Sequence, residues 1–323
     1  MKRNEVEPFN DIWYKDCFYN GLMPIIKYFN GSIDDYIVND LAGIYKLSNN
    51  QEYTILEYDS QLSDGINCLN EIGITLCSFN QCDNLVSKII ELLNNDNLVM
   101  TYIDCFYEPI RKDTFHQNHW PHVLLIYGYD EDAFYINESE YIDDVRYKKM
   151  VIHKQELEEC VNGYNRNFNA DLSKSFLYSF SKSGQVHTGS QGSKNLHKLL
   201  SLKNQRLATC TNLIEFGNGI YDIDFETMKE EDGYIRALNN VINNLSVEQY
   251  VLKKLNFISK DNTSIFQESL RYWQSTRAII AKCIFTRKNS EKSRDKILDN
   301  LRILADIETN RIKECNILIE RAL

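Results

Sequence analysis

Trp120-Pro121-His122-Val123-Leu124-Leu125-Ile126-Tyr127-Gly128-Tyr129-Asp130 and, a short step on, Ala133-Phe134-Tyr135-Ile136-Asn137-Glu138 decide how the chain is read. Val123–Tyr127 is a continuous apolar run closed by Gly128, and Phe134–Ile136 is a second one. The polar Tyr129-Asp-Glu-Asp132 between them has the length and character of a hairpin connection. A histidine starts the first strand, and Asn137 and Glu138 end the second. Antiparallel pairing brings those ends together, so an amide or a carboxylate comes up to the imidazole. That is the base and the orienting group of a nucleophile–base–orienter site, and Cys17 is the candidate nucleophile.

Upstream, Asp16-Cys17 opens a segment in which Phe18, Leu22, Ile25, Ile26 and Phe29 recur at helical spacing until Asn30-Gly31, with Pro24 inside it predicting a kink. A cysteine at a helix N-terminus feels the positive end of the macrodipole, which predicts a thiol shifted toward thiolate. A short helix is expected near Ile33–Leu41, a strand near Tyr53–Tyr58, a weak helix over 64–73 and a strand over Ile74–Phe79. Asp83–Leu93 reads as an amphipathic helix, and Leu98–Phe106 as a buried strand with Asp104 inside it. The polar loop 107–121 holds His116 and His119. A strand pair within Asp143–His153, a helix over Gln155–Tyr164 and a strand over Ser173–Ser181 follow. Ser181–Ser193, rich in Ser, Gly and Gln, is the linker candidate. Beyond it Leu196–Gly217, Tyr234–Leu245, Glu248–Ser259, Ser264–Thr286 and Ser290–Leu323 carry helical periodicity and suit a bundle. The pattern predicts an α+β protein: an antiparallel sheet and a nucleophile helix in a domain over 1–185, then a helical domain over 186–323.

The chain has 323 residues, 43% hydrophobic and 25% charged, which fits a globular protein. Its net charge of -10 argues against nucleic acid and anionic membrane surfaces as partners and is compatible with cationic small molecules. The N-terminus has no apolar signal-like stretch, no run approaches transmembrane length, and the nine cysteines are an odd number. Together these predict a cytoplasmic protein with mostly free, buried thiols. Cys77 and Cys82 could form half a metal site, but no second pair completes one. His116, His119 and His122 recur every three residues, yet Pro121 disfavours the helix that would align them, so no metal is expected. Asp104 is either a satisfied core group or part of an acidic acceptor pocket.

Asp16-Cys17 resembles the Asp-Cys that opens the nucleophile helix of the C39-type papain-like peptidases, and His122-Val-Leu-Leu-Ile-Tyr-Gly-Tyr-Asp resembles their histidine strand. Tyr135-Ile-Asn-Glu138-Ser resembles their second strand, with Glu138 where that group has Asp and Ser139 where it has Pro. The wider series Met100-Thr-Tyr-Ile-Asp104-Cys-Phe-Tyr-Glu-Pro, His119-Trp-Pro-His122, Tyr147-Lys-Lys-Met-Val-Ile and Gln155-Glu-Leu-Glu158 is similar to the N-terminal domain family of butirosin biosynthesis protein H, over roughly residues 8–165. This resemblance implies a papain-like fold and cysteine-dependent acyl transfer in specialised-metabolite, nonribosomal peptide-like biosynthesis. An acyl group held as a phosphopantetheine thioester on an acyl or peptidyl carrier protein would pass through Cys17 to a small amine or diamine, with no other cofactor. His122 would be the base, and Glu138 or Asn137 its orienting partner. Papain-like enzymes place an oxyanion-hole Gln about six residues before the cysteine; here that position is Asp11, and the neighbouring Asn10 is the candidate donor. Asp104, His119 and Trp120 are the other candidates for substrate contact. Arg146, Lys148 and Lys149 are candidates for a basic patch facing an acidic carrier. A peptidase or peptide cyclase of the same fold, and a non-catalytic carrier-binding module, stay open, as does a homodimer.

Overall fold

The computed structural model describes the chain except residues 50–53, 142, 143, 145, 184–190, 222, 224, 226–232, 259–262 and 289, and the side chains of 49 and 322. Along it run strands β1 (Lys2–Arg3), β2 (Ile44–Asn49), β3 (Thr54–Asp59), β4 (Ile74–Phe79), β5 (Leu98–Asp104), β6 (Pro121–Tyr129), β7 (Ala133–Glu138), β8 (Lys148–His153) and β9 (Leu177–Lys182). The helices are α1 (Cys17–Tyr28), α2 (Ile33–Ile37), α3 (Gly65–Glu71), α4 (Leu85–Asn94), α5 (Lys154–Phe168), α6 (Gln191–Ser201), α7 (Lys203–Thr209), α8 (Asn212–Tyr221), α9 (Tyr234–Lys254), α10 (Ser264–Thr286) and α11 (Glu291–Ala322). They form two compact units: Met1–Ile33 with Ile66–Gly189, and Asp34–Gly65 with Ser190–Leu323. Among the described residues no helix is long and apolar enough to cross a membrane.

The first unit is built on a seven-stranded sheet in the order β4-β9-β5-β6-β7-β8, with β1 added to β6; the pairings are antiparallel. The central strands β5 and β6 are buried over almost their whole length, as expected for strands covered on both faces. The expected hairpin is present as β6 and β7, in the register Leu125↔Asn137 and Ile126↔Ile136, which shifts at Gly128. A Cβ at Gly128 would stand 2.6 Å from the Lys2 carbonyl oxygen and 2.8 Å from Arg3 Cα, so the bulge and the missing side chain together admit β1. Ile89, Leu93, Val99, Ile103, Leu124, Ile126, Phe134, Leu157 and Val161 share one core, drawn from α4, α5 and the sheet. Helix α1 packs on β5, where a Cβ at Gly21 would meet Met100 Sδ at 3.3 Å. The helix continues through Pro24, which predicted a kink from sequence. Of the strand pair expected over 143–153, β8 is the strand described; residues 142, 143 and 145 lie outside the described residues.

The second unit joins the β2–β3 hairpin to helices α6–α11. The expected boundary at 185/186 falls near Gly189, but residues 34–65 do not belong with the first domain as the sequence reading had it. Tyr45 and Leu56 are buried among Phe216, Leu238, Trp273 and Leu301, so the hairpin completes the helical core. Buried charge lies at its centre. Arg311 bonds Glu308 through Nε at 2.9 Å and Nη2 at 2.6 Å and also bonds Glu248, which Arg206 reaches at 3.2 Å. Most of the linker candidate Ser181–Ser193 lies outside the described residues.

Candidate active site

Cys17 is the first residue of α1, and its neighbour Asp16 caps the helix by accepting a hydrogen bond from the Tyr19 N–H at 3.0 Å. The backbone N–H of Val123 lies close enough to the Cys17 thiol to favour its charged form. That nitrogen is bonded directly to the carbonyl carbon of His122, so the sulfur lies against the backbone that carries the imidazole. The hundred-residue gap in sequence is closed by α1 packing on β6.

His122 is buried, with Nε2 2.9 Å from Glu138 Oε2. Side chains alternate across a strand, so Asn137 and Glu138 face opposite sides of β7. Glu138 meets the imidazole, while neither amide atom of the buried Asn137 has a hydrogen-bond partner among the described residues. A group that the sequence reading missed completes the cluster. Arg111, in the loop before β6, is buried and contacts Glu138 Oε1 through Nε at 3.2 Å and Nη2 at 2.7 Å. Its Nη2 also lies 2.9 Å from His122 Nε2 and 3.3 Å from Ser139 Oγ. The Ser139 N–H donates to Glu138 Oε1 at 2.6 Å. Glu108, fully buried, stands with Oε2 3.8 Å from Arg111 Nε. Within its loop Arg111 is followed by Lys112 and reads as a solvated basic residue; only the two buried carboxylates, unknowable before the fold, call for a cation there.

The expected thiolate is not found. Burial pushes the Cys17 thiol up to about 12, the Asp16 carboxylate adds to this, and the Val123 N–H opposes it only in part. The cap that starts the helix thus adds a negative charge beside the thiol, second to burial. Burial holds the His122 imidazole below its ordinary range, and the Arg111 guanidinium acts in the same direction against Glu138. Burial alone would raise the Glu138 carboxyl, but the charge His122 carries when protonated, its hydrogen bond, the Arg111 charge and the Ser139 N–H, in that order, bring it below the usual range. Glu108 goes the other way: burial and the Glu138 charge raise it well above the usual carboxylate range. The surroundings thus disfavour the thiolate at Cys17 and the imidazolium at His122, while Glu138, paired with Arg111, is drawn toward its ionised form and Glu108 toward its neutral one.

The other candidates are drawn to separate partners. Asn10 bonds both ways with the Tyr147 backbone, donating to its carbonyl at 3.0 Å and accepting its N–H at 2.8 Å, so its amide is engaged there instead of standing free for an oxyanion. Asp104 is fully buried and satisfied: it accepts from the Phe106 N–H at 3.1 Å, the Trp120 N–H at 3.2 Å and Asn167 Nδ2 at 2.8 Å. It also pairs with His119 Nδ1 at 2.7 Å, which fits the core-group reading over the acidic pocket. His119 is half exposed and stacks on Phe106, and Trp120 is exposed at the head of β6. His116, His119 and His122 turn to different neighbours, and among the described residues no group of three or more His, Cys, Asp or Glu could hold a metal ion. Arg146, Lys148 and Lys149 pair with Asp144, Glu140 and Glu7, so the candidate basic patch is neutralised by surface carboxylates.

No protein-family model matches the chain, and no curated protein does. Among solved structures, the chain is similar to a Bacillus anthracis protein provisionally described as a C39-like peptidase, at 10% identity and a TM-score of 0.31, covering 56% of this chain and 100% of that one. A TM-score of 0.31 is too low to define a shared fold.

Proposed function

We propose that the chain is a papain-like cysteine acyltransferase that moves an acyl group from a carrier-bound phosphopantetheine thioester to a small amine. The observation that carries this reading is a histidine held by a buried carboxylate at the start of β6, the strand on which α1 packs with Cys17 as its first residue. As the sulfur attacks the thioester carbonyl, its proton passes to His122. The tetrahedral intermediate collapses, and the carrier thiol leaves with that proton. The amine then attacks the Cys17 acyl thioester, gives a proton to His122, and the sulfur departs to recover it as thiol. The resting charges favour a thioester over a peptide bond. A thiol is a good leaving group, whereas an amide nitrogen needs firm protonation by an imidazolium, the form that burial and Arg111 disfavour at His122.

Intact-protein mass spectrometry after mixing with an acyl-pantetheine thioester tests this. An acyl adduct is expected, absent in Cys17→Ala and discharged by a small diamine as the amide. Peptide cleavage with no thioester reactivity would replace this reading by a peptidase. Neither reaction, with any acyl donor, would leave a binding module.

A further inference from the structure

The nitrogen of an imidazole carries either a proton or a lone pair, and His122 Nε2 faces two groups with opposite demands. Glu138 Oε2, ionised, only accepts; Arg111 Nη2 only donates; each is 2.9 Å away. Arg111 also holds the other oxygen of Glu138 through two nitrogens, in a pocket where both side chains are buried. In a thiolate–imidazolium pair the orienting carboxylate balances the imidazolium. Here that carboxylate already has its counter-ion.

We infer that Arg111 is a positioning residue that keeps the reacting pair as thiol and neutral imidazole until an acyl donor arrives, by occupying Glu138 and competing for His122 Nε2. This rests on reading Cys17 and His122 as the reacting pair. Protonating His122 at rest would set a second cation beside the guanidinium, with one carboxylate between them. The charged groups facing the pair are Asp16 from the α1 cap, Glu138 from β7 and Arg111; the guanidinium favours a thiolate at Cys17 but disfavours an imidazolium at His122, which it touches at 2.9 Å, so the contact with the ring decides its net effect on the pair. The other titratable neighbours, Glu108, Tyr102, Tyr147 and Cys105, are all raised by burial and stay neutral. No second cation is therefore needed, and the thiol keeps its proton. If the guanidinium charge is removed, the nearest group able to balance Glu138 is His122, and the proton it takes comes from Cys17. One S–H bond breaks, one N–H bond forms, and nothing else is consumed.

The test is the rate of iodoacetamide alkylation of Cys17 against pH in the full chain, read peptide by peptide because eight other cysteines are present. Wild type should climb steadily through pH 9, without a plateau near neutrality. Arg111→Gln, which leaves an amide donor for Glu138 and removes only the charge, should react at least about tenfold faster at pH 7 and level off below pH 8. Arg111→Lys should restore the wild-type profile. A folded Arg111→Gln protein with the wild-type profile, or a wild type already on its plateau at pH 7, overturns the inference. Should the Gln variant not fold, an NMR titration of His122 in wild type decides: a neutral ring at pH 6 supports it, and an imidazolium there sinks it. The alkylation uses no acyl donor, so failure here is distinct from failure of acyl transfer.

Discussion

A buried carboxylate that reaches an imidazole from the end of the neighbouring strand fixes both the ring's orientation and which nitrogen faces the reaction. Only Glu138 does so here, at 2.9 Å, so the two adjacent candidates on β7 should separate cleanly. Glu138→Gln should slow single-turnover acylation of Cys17 by about 10²–10⁴-fold, while Asn137→Ala should stay within a few-fold. The reverse ranking would hand the orienting role to the amide. Glu108 offers a test by pH. Its folded-state carboxyl is raised, so its contribution to stability is fully present below about pH 4.5 and is lost as pH rises through the folded value, at up to about 1.4 kcal/mol per pH unit. Glu108→Gln should therefore match wild type in melting temperature near pH 4.5 and exceed it at pH 7–8; a gap that does not widen with pH would show that Glu108 is ionised in the fold. The meeting of His122 with Glu138 was legible in the sequence because strand alternation and hairpin length constrain where those two fall. The charge states were not. A helix N-terminus predicts a thiolate, but the same Asp16 that caps the helix, together with burial, drives Cys17 up to about 12.

At the scale of elements, the site depends on how β6 is framed. His122 and Val123 lie at its start, Gly128 near its end, and β1 pairs with it at that end. A methyl at Gly128 would fall 2.6 Å from a main-chain oxygen, and backbone cannot step aside as a flexible side chain can. Gly128→Ala should cost about 1–3 kcal/mol, read as a lower urea midpoint with an unchanged slope. No loss at all would mean that β1 detaches without consequence. The strands β4 through β7 were readable because apolar runs bounded by Gly and polar turns leave few alternatives. Strand β2 was not: Ile44-Tyr-Lys-Leu-Ser-Asn49 alternates weakly, and its apolar partners lie in helices far along the chain. The break expected between Leu245 and Glu248 is absent because α9 runs through it, with Leu245, Val247 and Glu248 all buried.

For the whole molecule, the sequence marked the switch from sheet to helices near residue 186 but not the return of residues 34–65 to the second unit, because the exchange depends on tertiary burial of Tyr45 and Leu56. That unit holds a second cluster of buried charge, and its energetics differ from those of the site. Arg311 and Glu308 are fully buried, and Glu308 also accepts from Tyr45 Oη at 2.8 Å and from Trp273 Nε1 at 3.4 Å. Burial raises the Glu308 carboxyl, while hydrogen bonds from Ser269, Tyr45 and Trp273 and the charge of Arg206 hold it back. Removing one member of such a network leaves its partner charged and dry, whereas replacing both by apolar groups removes the desolvation penalty as well. Arg311→Leu should therefore destabilise the second unit by about 3–5 kcal/mol, and adding Glu308→Leu should return part of that loss. Of the three tryptophans only Trp273 belongs to this unit, so its fluorescence in a Trp13→Phe, Trp120→Phe background reports the unit's unfolding in urea. A double variant less stable than Arg311→Leu alone would show that the cluster contributes net stability through its hydrogen bonds. Partial recovery would show that it serves instead to fix how the helices and the β2–β3 hairpin register within that core.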